Sequence, residues 1–172
     1  IQGDLIQLFK QGEFDLIAHQ CNCKGLFGAG IAKQLVKEFP IAYEVESHFK
    51  AITLYGTNIT FETEYGFIIN MYSQFNVGGC TDTGIDSFEV RLGALENCLN
   101  KINENNKGAT IGLPLIASGL ARKKSDLDDL SYFNSKLINS FREHRYIADL
   151  KNWALDVDVD EPLLTAHTPR TW

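Results

Sequence analysis

Cysteine, proline, methionine and basic charge are all scarce in this chain, and each scarcity removes a class of explanation. The four cysteines, Cys21, Cys23, Cys80 and Cys98, form neither a Cys-x-x-Cys nor any longer paired spacing. Structural zinc sites and thiol redox motifs need such pairs. No metal and no cofactor is therefore expected, and the four are read as reduced thiols of a cytoplasmic protein. Lys and Arg number 16 against 22 Asp and Glu, a net charge of −6. Broad electrostatic capture of nucleic acid is disfavoured, although a local basic site is not. No apolar run approaches the ~20 residues of a membrane span, so no membrane partner is expected. No charged-then-apolar segment opens the chain as given, so no secretory signal is expected; Ile1 in place of an initiator Met leaves the true start open.

What is present is ordinary in bulk and unusual in one place. With 172 residues, 44% hydrophobic and 22% charged, the chain fits one soluble domain with a real core. The unusual place is residues 15–39. An apolar run, Leu16-Ile17-Ala18, leads into the small polar segment His19-Gln20-Cys21-Asn22-Cys23. A glycine-bearing turn follows through Gly25, Gly28, Ala29 and Gly30, and then Ile31, Leu35 and Phe39 recur at helical spacing up to Pro40. This reads as a buried strand, a tight loop and the N-terminus of a helix. Such an N-terminus offers unpaired N–H groups and partial positive charge, and glycine lets that backbone approach an anion. The same glycines also suit a plain strand–helix turn. No Lys-Ser/Thr follows them, as a Walker loop would require.

Along the chain, the run 5–9 after Asp4 reads as a strand, as does 16–23. A helix is expected over 29–38, a short helix over 42–50, and one or two strands over 51–65. The segment 67–72 reads as a buried strand and 76–84 as a loop. Phe88, Leu92, Leu95, Leu99 and Ile102 step by four and three residues, which predicts a helix ending near Gly108. A strand over 110–115, a loop over 116–124 and a helix from Ser125 or Asp126 complete the pattern. Strands alternating with helices predict a three-layer α/β/α sandwich with a mixed central sheet. In such sheets ligands sit beyond the carboxyl ends of the strands, here after Cys23, Met71 and Leu115.

Four segments, taken in order, resemble the macro domain family, and within it the ADP-ribose-1''-phosphate phosphatases and related phage proteins. They are Gly3-Asp4-Leu5; Ala18 to Cys23 with Gly28-Ala29-Gly30-Ile31-Ala32; Asn70-Met71-Tyr72-Ser73-Gln74; and Gly112 to Ile116 with Ser118-Gly119-Leu120-Ala121. The resemblance covers residues 3 to about 144. It implies that Asp4, with Leu5 beside it, receives the adenine amino group, and that Asn22 bonds the distal ribose. It also implies that Gly28, Ala29, Gly30 and Ile31, facing Ser118, Gly119, Leu120 and Ala121, wrap a diphosphate with backbone N–H groups, an anion nest that needs no lysine. The ligand implied is ADP-ribose or ADP-ribose-1''-phosphate, free or on ADP-ribosylated protein or nucleic acid. The implied chemistry is metal-independent hydrolysis; a non-catalytic reader or sponge of ADP-ribose is the alternative. His19 is the titratable ring inside the motif, a general base or else a core histidine.

The chain departs from the family after Leu120. Relatives continue with glycines and an acid, whereas Ala121 here precedes Arg122, Lys123 and Lys124, and the next acid is Asp126. Asp126 is either a displaced catalytic acid or a helix N-cap. The basic triplet is either a meeting point for an extra phosphate or a solvated loop. Apolar/acidic alternation over 154–160 suggests an edge strand. The expected domain spans 1–160, with a poorly ordered tail over 161–172.

Overall fold

The structure is a computed structural model, and it describes residues 2–27, 30–43, 51–114 and 152–156. Strand β1 (Gln2–Gly3) leads to helix α1 (Leu5–Lys10), strand β2 (Leu16–Asn22) and helix α2 (Gly30–Glu38). A 3₁₀ turn (Pro40–Tyr43) follows, and then helix α3 (Ala51–Leu54), strand β3 (Asn58–Thr63) and strand β4 (Gly66–Gln74). Helix α4 (Phe88–Asn105), strand β5 (Thr110–Pro114) and strand β6 (Asn152–Asp156) close the described chain. The strands form one sheet in the order β1-β6-β5-β2-β4-β3. All neighbours are parallel except β3 and β4, which makes the sheet mixed.

Side-chain alternation along the paired strands β2 and β4 divides the core. Ile17 and Ile68 lie side by side and cluster with Leu5, Ile6 and Phe9 of α1, with Leu35 of α2 and with Phe39 just after it. The residues between them, such as Ala18, Ile69 and Met71, turn to the other face, where α4 packs with Ala94, Leu95, Cys98, Leu99 and Ile102 buried. The result is the expected three-layer sandwich with a mixed sheet. Gly112 lets one layer close on the next: a Cβ there would stand 2.6 Å from Leu5 Cδ1 and 2.8 Å from Phe14 Cδ2.

Several local expectations are corrected. Residues 5–9 are helical, because Leu5, Ile6 and Phe9 bury one helical face and Asp4 caps the helix by accepting from Gln7 N–H at 3.0 Å. Of the short helix expected over 42–50, the described part is the tail of the 3₁₀ turn. The stretch 51–65 opens with a turn of helix before its single strand. Of the C-terminal segment expected to end in an edge strand, the described part, β6, pairs with β1 on one side and β5 on the other, and residues 157–160 lie outside the described residues. The helix expected from 125, the basic triplet and the tail over 161–172 lie outside the described residues.

Candidate functional site

Parallel pairing brings the carboxyl ends of β1, β2, β4, β5 and β6 to one edge of the sheet. Asp4 follows β1, Asn22 ends β2, Gln74 ends β4 and Pro114 ends β5. Gly30, which starts α2, follows the β2 loop. The expected binding residues that the structure describes are therefore gathered by topology from distant parts of the chain. Gly28, Ala29, Ser118, Gly119, Leu120, Ala121 and Asp126 lie outside the described residues.

Asp4 is exposed, and one of its carboxylate oxygens accepts from Gln7 N–H. Two oxygens provide about four acceptor sites, so capping and ligand recognition can coexist. The side chain of Leu5 is 1% exposed and enters the core, which leaves only its backbone for a ligand. Ile31 likewise packs against the cluster formed by α1 and α2. Gly30 takes φ of 59°, in the left-handed region where side chains are strained, and a Cβ there would meet nothing within 4 Å. The first turn of α2 holds no acidic side chain of its own, and the N–H groups of a helix's first turn have no acceptor within the helix.

Asn22 organises the loop after β2. Its Oδ1 accepts from Lys24 N–H and Leu26 N–H, both at 3.1 Å, and its Nδ2 donates to Leu26 O at 2.7 Å. A bulge at the end of the pair sets Asn22 opposite Gln74 although Cys21 faces Tyr72. Cys23 N–H, beyond the strand, donates to both Gln74 O and Phe75 O. Lys24 Nζ sits 4.5 Å from the centroid of the Phe75 ring.

His19 has the burial of a core residue. It is 0% exposed, and its Nε2 lies 2.8 Å from Asn70 Oδ1 and 3.0 Å from Tyr43 Oη. With Asn70 Oδ1 as acceptor the ring carries its proton on Nε2, and the Cys21 sulfur lies 3.5 Å from Nε2 and 3.7 Å from Nδ1. Burial pushes the imidazole down to about 4, against a smaller upward pull from the Asn70 hydrogen bond. A sealed ring with so low a pKa is a poor acceptor of a substrate proton at neutral pH. Of the two readings of His19, general base or core histidine, this burial favours the core one: the ring bonds to Tyr43, whose own ring meets that of Phe27 edge-on at 4.6 Å.

Sequence reasoning missed the support of the β4 loop. Asp86 accepts from Phe75 N–H at 2.8 Å, from Asn76 N–H and Nδ2, and from Arg91 Nε at 3.0 Å. Arg91 also donates to Gly78 O and Asn76 O. Both side chains are nearly inaccessible. Burial pushes the Asp86 carboxyl up, but the N–H groups of Phe75 and Asn76 and the Arg91 guanidinium pull it further down, and it settles below its ordinary value. A signal was present: Arg91 falls on the apolar stripe of α4, where a charge needs a partner. Among the described residues no group of three His, Cys, Asp or Glu could hold a metal ion, and no helix is long and apolar enough to cross a membrane.

Comparison with known proteins gives a consistent set of similarities. No protein-family model matches the chain. The chain is 32% identical over 150 residues to the "Uncharacterized 17.5 kDa protein in tk-vs intergenic region" of Enterobacteria phage T4, spanning 80% of this chain and 90% of that protein. A shorter stretch of 45 residues is 42% identical to the ADP-ribose 1''-phosphate phosphatase of Meyerozyma guilliermondii, covering 26% of this chain and 25% of the phosphatase. Among solved structures, the macrodomain of Mycobacterium tuberculosis DarG superimposes with a TM-score of 0.63 at 16% identity, over 91% of this chain and 97% of that one. Thermosipho africanus DarTG in complex with ADP-ribose gives 0.62 at 15% identity, over 91% of this chain and 42% of that one.

Proposed function

The chain has the macrodomain fold and belongs to the family of the phage T4 17.5 kDa protein, and from that premise we propose that it binds ADP-ribose or a derivative across the carboxyl edge of its sheet. The observation that carries this reading is the placement of an exposed carboxylate, Asp4, and of the helix start at Gly30, whose first turn holds no acidic side chain, after the carboxyl ends of β1 and β2 on one sheet edge. The carboxylate accepts from the adenine amino group, and guanine, with a carbonyl there, is rejected. The N–H groups of Gly30 and Ile31, with Gly28 and Ala29 before them, meet the diphosphate. Ser118, Gly119, Leu120 and Ala121 close on it from the second loop. Asn22 holds the intervening loop beside the distal ribose. The ADP-ribose in the complex of the Thermosipho protein, which shares the fold, supports this choice of ligand.

A second reading adds hydrolysis, favoured by the 45-residue similarity to the ADP-ribose 1''-phosphate phosphatase. In that reading the protein releases phosphate from ADP-ribose-1''-phosphate or cleaves an ADP-ribosyl bond to protein or nucleic acid. Water held by Asn22 and the loop backbone is the nucleophile, and Asp126 is the candidate acid or base. Without turnover the protein is a reader of ADP-ribose.

Calorimetry with ADP-ribose, AMP and ribose 5-phosphate tests the binding. ADP-ribose is expected to bind most tightly, and equal affinity for all three would refute the clamp. A phosphate-release assay on ADP-ribose-1''-phosphate, together with cleavage of an ADP-ribosylated peptide in the presence of a chelator, then separates hydrolase from reader.

A further inference from the structure

Two loops form the β2–β4 side of the crevice, and neither is held by strand pairing alone. The loop after β2 is tied internally by Asn22 and externally by Cys23 N–H, which donates to Gln74 O at 3.0 Å and Phe75 O at 3.1 Å. Its acceptors are therefore the last residue of β4 and the first residue of the loop after it. That second loop is fastened to α4: Asp86 receives Phe75 and Asn76, while Arg91 holds Asn76 O and Gly78 O. Tyr55 Oη adds a bond to Ile85 O at 2.6 Å. Ser87 caps α4 by accepting from Val90 N–H, which fixes the helix turn from which Arg91 reaches back.

A surface loop could end its backbone groups on water. Here a buried carboxylate and guanidinium, with side chains 4% and 2% exposed, do that work. Burying an ion pair gains little stability over an apolar pair of the same volume, so its value lies in what it orients. The distinctive feature is direction. Arg91 donates to Asp86 and to the carbonyls of Asn76 and Gly78, and the Asp86 carboxylate accepts from Phe75, Asn76 and Arg91.

Resting on the ADP-ribose reading above, we infer that Asp86 and Arg91 are positioning residues for the distal half of the ligand site. They set the β4 loop, and the β4 loop in turn sets Cys23 N–H and the Asn22 loop beside the glycine turn. The adenine end, placed by Asp4 on α1, is outside this chain of contacts. The pair thus acts on diphosphate and distal ribose recognition and leaves adenine recognition alone.

The test compares Asp86→Asn with the charge-neutral double variant Asp86→Asn/Arg91→Met, which keeps the protein folded if a lone buried guanidinium does not. Expected is a loss of about tenfold in ADP-ribose affinity, with AMP affinity changed by less than about twofold. Hydrogen exchange on the ligand-free protein is expected to quicken at Cys23 and Leu26 while the core strands β2 and β4 keep their protection. Arg91→Lys, which keeps the charge and loses the fork, is expected to behave like the double variant. Unchanged ADP-ribose affinity in the folded double variant overturns the inference, and so does an equal loss for AMP. If the wild-type protein fails to bind ADP-ribose, the functional reading falls, and the exchange measurement alone decides the positioning claim: unchanged exchange at Cys23 and Leu26 overturns it.

Discussion

Between the middle of the β2–β4 pair and its carboxyl end, polar side chains change partners. In the middle, His19 and Asn70 are neighbours on adjacent strands, both buried, and bond to one another, and His19 also bonds to Tyr43. At the end, Asn22 and Asp86 spend their hydrogen bonds on loop backbone. The first arrangement satisfies groups that burial would otherwise penalise by about 1–3 kcal/mol each. The second fixes the direction of backbone N–H groups near a place where an anion can sit. Polar side chains of one region thus satisfy each other inside the sheet and orient loop backbone at its end. Variants of the interior should change stability with little effect on affinity, and variants of the crevice should do the reverse.

The sharpest break with that division would come from Gly30→Glu. A carboxylate at the start of α2 opposes a diphosphate by charge; no atom lies within 4 Å of a Cβ there, so the local cost is the strain of a side chain at the left-handed φ of 59°. Loss of ADP-ribose binding by more than about 100-fold is expected, with an unaltered circular dichroism spectrum. Retained binding in the folded variant would place the phosphates elsewhere. Asp4→Ala is expected to follow, with affinity reduced about tenfold or more, since a charge-assisted hydrogen bond contributes roughly 1.5–3 kcal/mol. Part of any stability change in that variant comes from the lost cap of α1, so affinity is best measured far below the melting temperature. Full affinity would remove Asp4 from the adenine end.

The smallest effect on binding is expected from His19→Gln, which should alter ADP-ribose affinity by less than about twofold. Its signature belongs to stability. The unfolded state takes up a proton near pH 6.5, whereas the folded imidazole resists it down to about 4. Between those values the unfolded chain binds more protons, so wild-type stability must fall as the pH is lowered through that window, by on the order of 3 kcal/mol in total. Chemical denaturation at several pH values should show this slope in the wild type and its loss in His19→Gln. A slope that persists unchanged would mean that another group titrates there. If the protein is a hydrolase and His19→Gln lowers kcat by ~10²-fold or more, the core assignment of His19 fails and the general-base role returns.

Which parts of this were legible beforehand follows from the range of the interactions. Hydrophobic periodicity is local, so β2, α2, β4, α4 and β5 could be read from spacing, and the alternation of strands and helices led to the layered mixed sheet. Residues 5–9 were misread because a five-residue apolar run fits a strand or a short helix equally. Asp4 decides the matter by capping, and Leu5 by having Gly112 to pack against. The described part of the C-terminal segment read as an edge strand, β6, is not an edge, because a strand's neighbours are absent from its own sequence: β1, from the other end of the chain, pairs with it.

The sequence by itself determined the covalent and local facts: which residues can cap, turn, alternate or titrate, and that a polar, glycine-bearing segment follows a buried strand. Only the tertiary structure decided the fate of each polar group, because that depends on what lies opposite. His19 became a neutral core residue when Asn70, brought alongside by parallel pairing, supplied an acceptor and the layers above excluded water. Arg91, one charge on an apolar helix face, became the anchor of a loop when Asp86 was buried beside it. Burial and pairing are properties of neighbours in space, and a chain records only neighbours in sequence.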